Sequence, residues 1–145
     1  MRSRVLLLAV ALACVALAPT RLAASDLRLK VIAHPTRAGA LDQAVVRAIY
    51  LKQRQFWGDG KPTIPINREA GSDVREAFSE KVFGQGSGRL AAYWNQRYYE
   101  AGEFPPATLA SDEAVLRFVA GNPDAIGYVA ADTDTDSVAV VLTLR

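Results

Sequence analysis

The chain has 145 residues, half of them hydrophobic, with 17 Lys and Arg against 15 Asp and Glu and a formal charge of +2. That is enough for one domain with a real core and too little for two ordinary ones. A single cysteine rules out an internal disulfide framework, a single histidine argues against a zinc site of the usual His/Cys kind, and no P-loop or dinucleotide fingerprint offers a place to a cofactor.

Arg2 and Arg4 precede the apolar run Val5 to Leu17, and the small residues Ala23, Ala24 and Ser25 follow it, which is the layout of a secretory signal peptide. The run is too short for a comfortable transmembrane helix. The expected division is residues 1–24 as signal peptide and residues 25–145 as one secreted or periplasmic domain. Leu12-Ala13-Cys14 lies inside the run, so a lipoprotein acylated at Cys14 is the less favoured alternative; Ala11 stands where a larger aliphatic residue is usual. Without the leader, 14 basic side chains face 15 acidic ones, so the basic balance of the whole chain does not point to nucleic acid. What survives is an asymmetry: residues 26–97 hold 12 basic and 7 acidic side chains, residues 98–145 hold 2 and 8. A positive half favours an anion or an acidic partner surface.

Leu27 to His34 alternates and then turns fully apolar, as a strand entering the interior does, and Pro35 ends it. After the loop Thr36-Arg37-Ala38-Gly39, the residues Leu41, Val45, Ala48, Ile49 and Phe56 mark one face of a helix beginning near Asp42. Trp57-Gly58-Asp59-Gly60-Lys61-Pro62 is a turn cluster leading to a short strand, Thr63 to Ile66.

The stretch Asn67-Arg68-Glu69-Ala70-Gly71-Ser72-Asp73 is a tight turn into a helix. Gly71 permits a positive φ, Ser72 can cap the helix, and Val74, Ala77, Phe78 and Val82 fall at helical spacing. A helix opening there directs backbone N–H groups and a partial positive charge outward, with Arg68 just before it and Arg75 one turn in. That is the chemistry of an oxyanion site. The same residues also suit a plain cap, with Ser72 and Asp73 serving the helix end and both arginines solvated.

The helix stops at Gly84, and Gln85-Gly86-Ser87-Gly88 joins it to a second one from about Arg89 to Ala101. Tyr93, Trp94 and Tyr98 share one stripe of that second helix; a stacking wall for a ligand is one use of it, and core packing is the expected one. Phe104-Pro105-Pro106 forces an extended crossing. Ser111-Asp112-Glu113 starts a helix that Gly121-Asn122-Pro123 ends, and two buried strands follow at residues 125–129 and 138–144. Interleaved helices and strands give an α/β class with a small mixed sheet flanked by helices.

Asp132-Thr133-Asp134-Thr135-Asp136 fails as an EF-hand, because Ser137 and Thr143 stand where Gly and Glu are needed; a solvated turn is expected, and no metal site. His34 can act as a base for Ser72 or Ser79 only if the fold brings them together, and no Gly-x-Ser-x-Gly elbow occurs. An enzyme is not expected.

Four motifs in order then carry a family resemblance: Val31-Ile32-Ala33-His34-Pro35-Thr36; Ile49-Tyr50-Leu51-Lys52 with Phe56-Trp57-Gly58-Asp59-Gly60; Arg68-Glu69-Ala70-Gly71-Ser72; and Pro123-Asp124-Ala125-Ile126-Gly127-Tyr128-Val129. The chain resembles small secreted relatives of the phosphate-binding component of bacterial phosphate ABC transporters, in the type II periplasmic-binding superfamily. The resemblance implies a single lobe of that fold, and Thr36, Arg68, Gly71 and Ser72 as candidate phosphate ligands; helical geometry adds Arg75. Asp73 and Val74 stand where the family carries Gly and Thr. The function it implies is recognition of an oxyanion, most of all phosphate, for a transport or sensing system. The alternative is a ligand-free interaction module docking on a membrane permease or sensor kinase through Trp57 and Tyr99.

Overall fold

The computed structural model describes residues 26–145. The signal-peptide and Cys14 expectations fall outside these residues. Five strands, β1 (Leu29–Ala33), β2 (Ile64–Arg68), β3 (Ala107–Leu109), β4 (Ala125–Ala130) and β5 (Ala139–Leu144), form one sheet in the order β3-β2-β4-β1-β5. Strands β3, β2 and β4 run parallel, whereas β1 is antiparallel to both β4 and β5. The sheet is therefore mixed, as expected.

Helices cover both faces. On one side α1 (Gln43–Tyr50) and α2 (Asp73–Phe83) bury Val46, Ile49, Phe78 and Val82 against Leu29, Val31 and Tyr128. On the other, α4 (Asp112–Gly121) sets Val115 and Val119 against Ile32, Ile66 and Val129. Consecutive residues of β1 thus face different layers, which is why its inner stretch, Val31 to Ala33, is continuously apolar. The centre of the first layer is aromatic: Phe78 stacks on Tyr128 at 3.8 Å, and Tyr50 leans on both rings. The Tyr50 hydroxyl donates to the Ile66 carbonyl at 3.0 Å, tying α1 to β2.

Three expectations need correction. Phe56 is not on the face of α1: the helix ends at Tyr50, Lys52 takes φ +54°, and Phe56 bridges Pro62 while 59% exposed. The Phe104-Pro105-Pro106 crossing delivers a short edge strand, β3, paired with β2 from Ile66↔Ala107 to Arg68↔Leu109; proline at strand entry costs no ladder bond on the open side. The aromatic stripe of α3 (Leu90–Ala101) is not core, since no α3 residue is fully buried.

Polar contacts hold α3 instead. Glu76 accepts from the Ser87 N–H and hydroxyl at its start, the Tyr93 hydroxyl donates to the Leu51 carbonyl at 2.8 Å in its middle, and Arg97 pairs with Glu103 at its end. Between α3 and the α2 side of the sheet lies a cleft of about 420 Å³.

Candidate functional site

The turn before α2 forms as its residues dictate. The Ser72 N–H closes on the Glu69 carbonyl at 3.3 Å with Gly71 at φ +82°, the third position of a turn that favours glycine. Ser72 then caps α2, its hydroxyl oxygen accepting the Arg75 N–H at 3.0 Å. Asp73 is exposed and begins the helix.

Arg68 is carried two residues further along β2 than the strand expected from sequence, and its side chain turns to the α4 layer. Its Nε and Nη2 donate to the Glu69 carboxylate at 2.8 and 3.0 Å, and Nη1 donates to Asp112 at the start of α4. It is 8% exposed. Burial opposes its charge, but the hydrogen bond to Glu69 and the fields of Asp112 and Glu69 outweigh that and raise its pKa above the ordinary arginine value. The Arg68 guanidinium thus meets two carboxylates.

Arg75 is placed differently. Its Nη1 donates to the Arg68 carbonyl at 3.1 Å, and among the described residues it joins no ion pair. It lines the cleft together with Asn67, the β2 residue on the α2 side. The Tyr128 hydroxyl donates to Asn67 Oδ1 at 2.9 Å and accepts the Arg68 N–H at 3.1 Å. Burial drives the Tyr128 phenol pKa well up, so that hydroxyl stays protonated as a donor.

Thr36 lies elsewhere. Ala33, the last residue of β1, pairs with Ile126 near the start of β4, and β2 sets out from that same end, with Pro65 also beside Ile126. Arg68 stands three residues further along β2, about 10 Å from Pro65 at about 3.3 Å per residue, and Thr36 lies beyond the opposite end of the strands. Gly71, Ser72 and Arg75 are brought together with the backbone of Arg68; Thr36 is not. His34 Nδ1 is 2.8 Å from Thr36 Oγ1, so neither His34 nor Thr36 faces the Ser72 corner, and a Ser72/His34 nucleophile pair is not assembled. Ser79 is committed to the Gln85 carbonyl at 2.9 Å.

The end of the sheet near Thr36 gathers three of the four motifs through Arg37. That side chain donates to the Pro123 carbonyl at 3.0 Å, Asp59 at 2.7 Å and Asp124 at 2.6 Å, and lies over the Trp57 ring. Trp57 is 9% exposed and donates from Nε1 to the Asp124 carbonyl, so it is a packing residue and not the docking surface expected of it. Asn67, Tyr128 and the cleft were not singled out from sequence. Tyr128 was noted only as part of the fourth motif, and the aromatic spacing of Tyr93, Trp94 and Tyr98 signalled the wall of the cleft alone.

No protein-family profile and no curated protein matches the chain. Solved structures do. A Clostridium perfringens protein assigned as a phosphate ABC transporter substrate-binding protein, solved with phosphate bound, is 24% identical with a TM-score of 0.63, over 79% of this chain and 45% of its own. An ABC-type phosphate transport receptor from Vibrio cholerae is 16% identical with a TM-score of 0.62, over 79% and 46%. The PstS protein of Borrelia burgdorferi is 16% identical with a TM-score of 0.53, over 72% and 42%. The chain has the fold of phosphate ABC transporter substrate-binding proteins, as a single α/β lobe. It spans less than half the length of these neighbours.

Proposed function

We propose that this chain is a secreted, periplasmic solute-binding lobe that takes an oxyanion, phosphate first, at the opening of α2, as the recognition part of a phosphate transport or sensing system. The observation that carries the proposal is Arg75: a guanidinium one turn into a capped helix, tethered to the Arg68 carbonyl and joined to no carboxylate among the described residues. Gly71 lets the backbone approach closely, Ser72 brings a hydroxyl, and the first-turn N–H groups add the helix-end charge. Arg68 holds the strand end in place while its own charge is balanced by Glu69 and Asp112. Thr36 would be approached only from the other end of the sheet. The role is binding, with no chemistry on the ligand.

Magnitudes set the affinity. Sheltered charge-assisted hydrogen bonds contribute about 1.5–3 kcal/mol each and exposed pairs about 0–1. An open corner with one guanidinium, next to the exposed Asp73, therefore corresponds to dissociation constants of about 1 mM or weaker. Titrating phosphate into labelled protein and following backbone amide resonances tests the placement. Shifts concentrated at Ser72 to Arg75 support it; shifts scattered over the surface, or none, defeat it.

A second reading has its own support. The Arg68 charge is satisfied internally, Asp73 stands at the helix mouth, and Tyr99 is 85% exposed on α3, as in an interaction module that keeps the fold without a ligand and docks on a permease or sensor kinase. Capture of one envelope partner by the native protein, lost with Tyr99→Ala, in a protein giving no phosphate shifts would favour it.

A further inference from the structure

The cleft under α3 has a size and lining that an inorganic anion does not use. At about 420 Å³ it lies within the range of small-molecule sites, which are mostly apolar with a few placed polar groups. Its polar end is formed by Arg75 and Asn67. Because Asn67 Oδ1 already accepts from Tyr128, the amide nitrogen is the group left to donate, and no hydrogen bond within the described chain uses it. Glu103, the carboxylate on the wall, is matched by Arg97, so Arg75 gives the cleft its net sign.

Most of the remaining wall is apolar, with Phe83, Leu90, Trp94, Tyr98 and Phe104 as its large side chains, interrupted by Ser79, Ser87 and Asn95. Tyr98 and Phe104 contact each other at 5.1 Å and stay 49% and 63% exposed, forming an accessible lip. The Glu76/Ser87 and Tyr93/Leu51 contacts tie the first half of α3 to α2 and to the end of α1, and Arg97 folds the exit at Glu103 back onto the helix, without drawing the apolar side of α3 onto the sheet. The hollow is thus pre-formed, and the hydrophobic effect favours an occupant with an apolar body over water.

We propose that this cleft binds a small organic acid, its acid group on Arg75 and Asn67 and its aromatic or branched apolar body against Leu90, Trp94 and Tyr98. The site shares Arg75 with the phosphate corner and otherwise stands apart from it.

The test uses 2-naphthoate, the neutral 2-naphthylmethanol of similar shape, and inorganic phosphate, each titrated into the protein with tryptophan fluorescence and calorimetry. The acid binds about tenfold more tightly than the alcohol, and Arg75→Gln removes that difference. Leu90→Trp, which fills the cleft, weakens naphthoate about tenfold and leaves inorganic phosphate unchanged; Trp94→Ala does the same from the exposed side should Leu90→Trp not fold. Equal binding of acid and alcohol, naphthoate binding indifferent to both cleft variants, or none up to about 10 mM overturns the inference. Loss of phosphate binding alone, with naphthoate retained, overturns the proposed function and leaves this site standing.

Discussion

Arg68 on β2 and Asp112 at the first position of α4 form a partly buried ion pair, and the second oxygen of Asp112 accepts the Ala130 N–H at 2.9 Å and the Thr133 hydroxyl at 2.8 Å. One carboxylate therefore locks the ends of β2 and β4 to the start of a helix. Asp112→Ala leaves a buried guanidinium with one partner and strands two donors. It is expected to destabilise the fold by about 2–4 kcal/mol, measured by denaturant unfolding. A loss below about 0.5 kcal/mol would mean that water replaces the carboxylate at no cost.

Packing of α4 on β4 depends on Gly127. A Cβ there would sit 2.5 Å from Val115 Cγ1 and 3.3 Å from Val119 Cγ2, both fully buried. Gly127→Ala should cost about 1–3 kcal/mol, and Val115→Ala in the same chain should recover part of it. Additive losses in the double mutant would show that the helix retreats as a unit. The glycine of the Ala125-Ile126-Gly127-Tyr128-Val129 motif thus keeps its place for closeness, not for ligand contact.

Acid should loosen the corner in a definite direction. The hydrogen bond from Arg68 holds the Glu69 carboxyl below the ordinary glutamate range, against the partial burial that opposes it. The backbone N–H of Lys61, followed by Arg37, does the same for Asp59. A depressed carboxylate pKa adds stability that is present above its unfolded value and lost as pH falls through its folded value. The melting temperature should stay level down to about pH 5 and drop below about pH 4, and Glu69→Gln should fall less steeply over that window. Identical acid slopes for the two proteins would remove Glu69 from the linkage.

Strands β1 and β4 were legible because both of their faces meet apolar layers from Val31 to Ala33 and from Ala125 to Val129. Strand β5 was found as a strand, but the burial expected of it holds only for Val141 and Leu144, since at the edge of the sheet Val140 and Thr143 are exposed. The start of α2 was legible as well, since the adjacent Gly71 and Ser72 act within one four-residue turn, Glu69 to Ser72. Strand β3 was not: three residues after two prolines carry no periodicity. Strand direction was also hidden, and it decides that Thr36 leaves β1 at the end of the sheet away from Arg68. The partners of Arg68 were half visible, because Glu69 is adjacent while Asp112 lies 44 residues on and meets it only through the crossover. The spacing of Tyr93, Trp94 and Tyr98 defined a face but not what it meets, and that face meets a cleft.

Core order hangs on one hydroxyl among the aromatics. Tyr50 donates between the Ile66 and Ile126 carbonyls, at 3.0 and 3.3 Å, and is 2% exposed. Tyr50→Phe keeps the ring contacts with Phe78 and Tyr128 but leaves those carbonyls without that donor, an expected loss of about 1–2 kcal/mol in chemical unfolding. A neutral result would mean that the carbonyls are satisfied by their ladders alone.

The proposed anion recognition turns on Arg75. Calorimetry of the folded lobe with phosphate at low ionic strength should give saturable heat with a dissociation constant of about 1 mM or weaker, lost in Arg75→Ala and kept in Thr36→Ala. No heat up to tens of millimolar phosphate, or an Arg75→Ala protein that binds as the parent does, would contradict it.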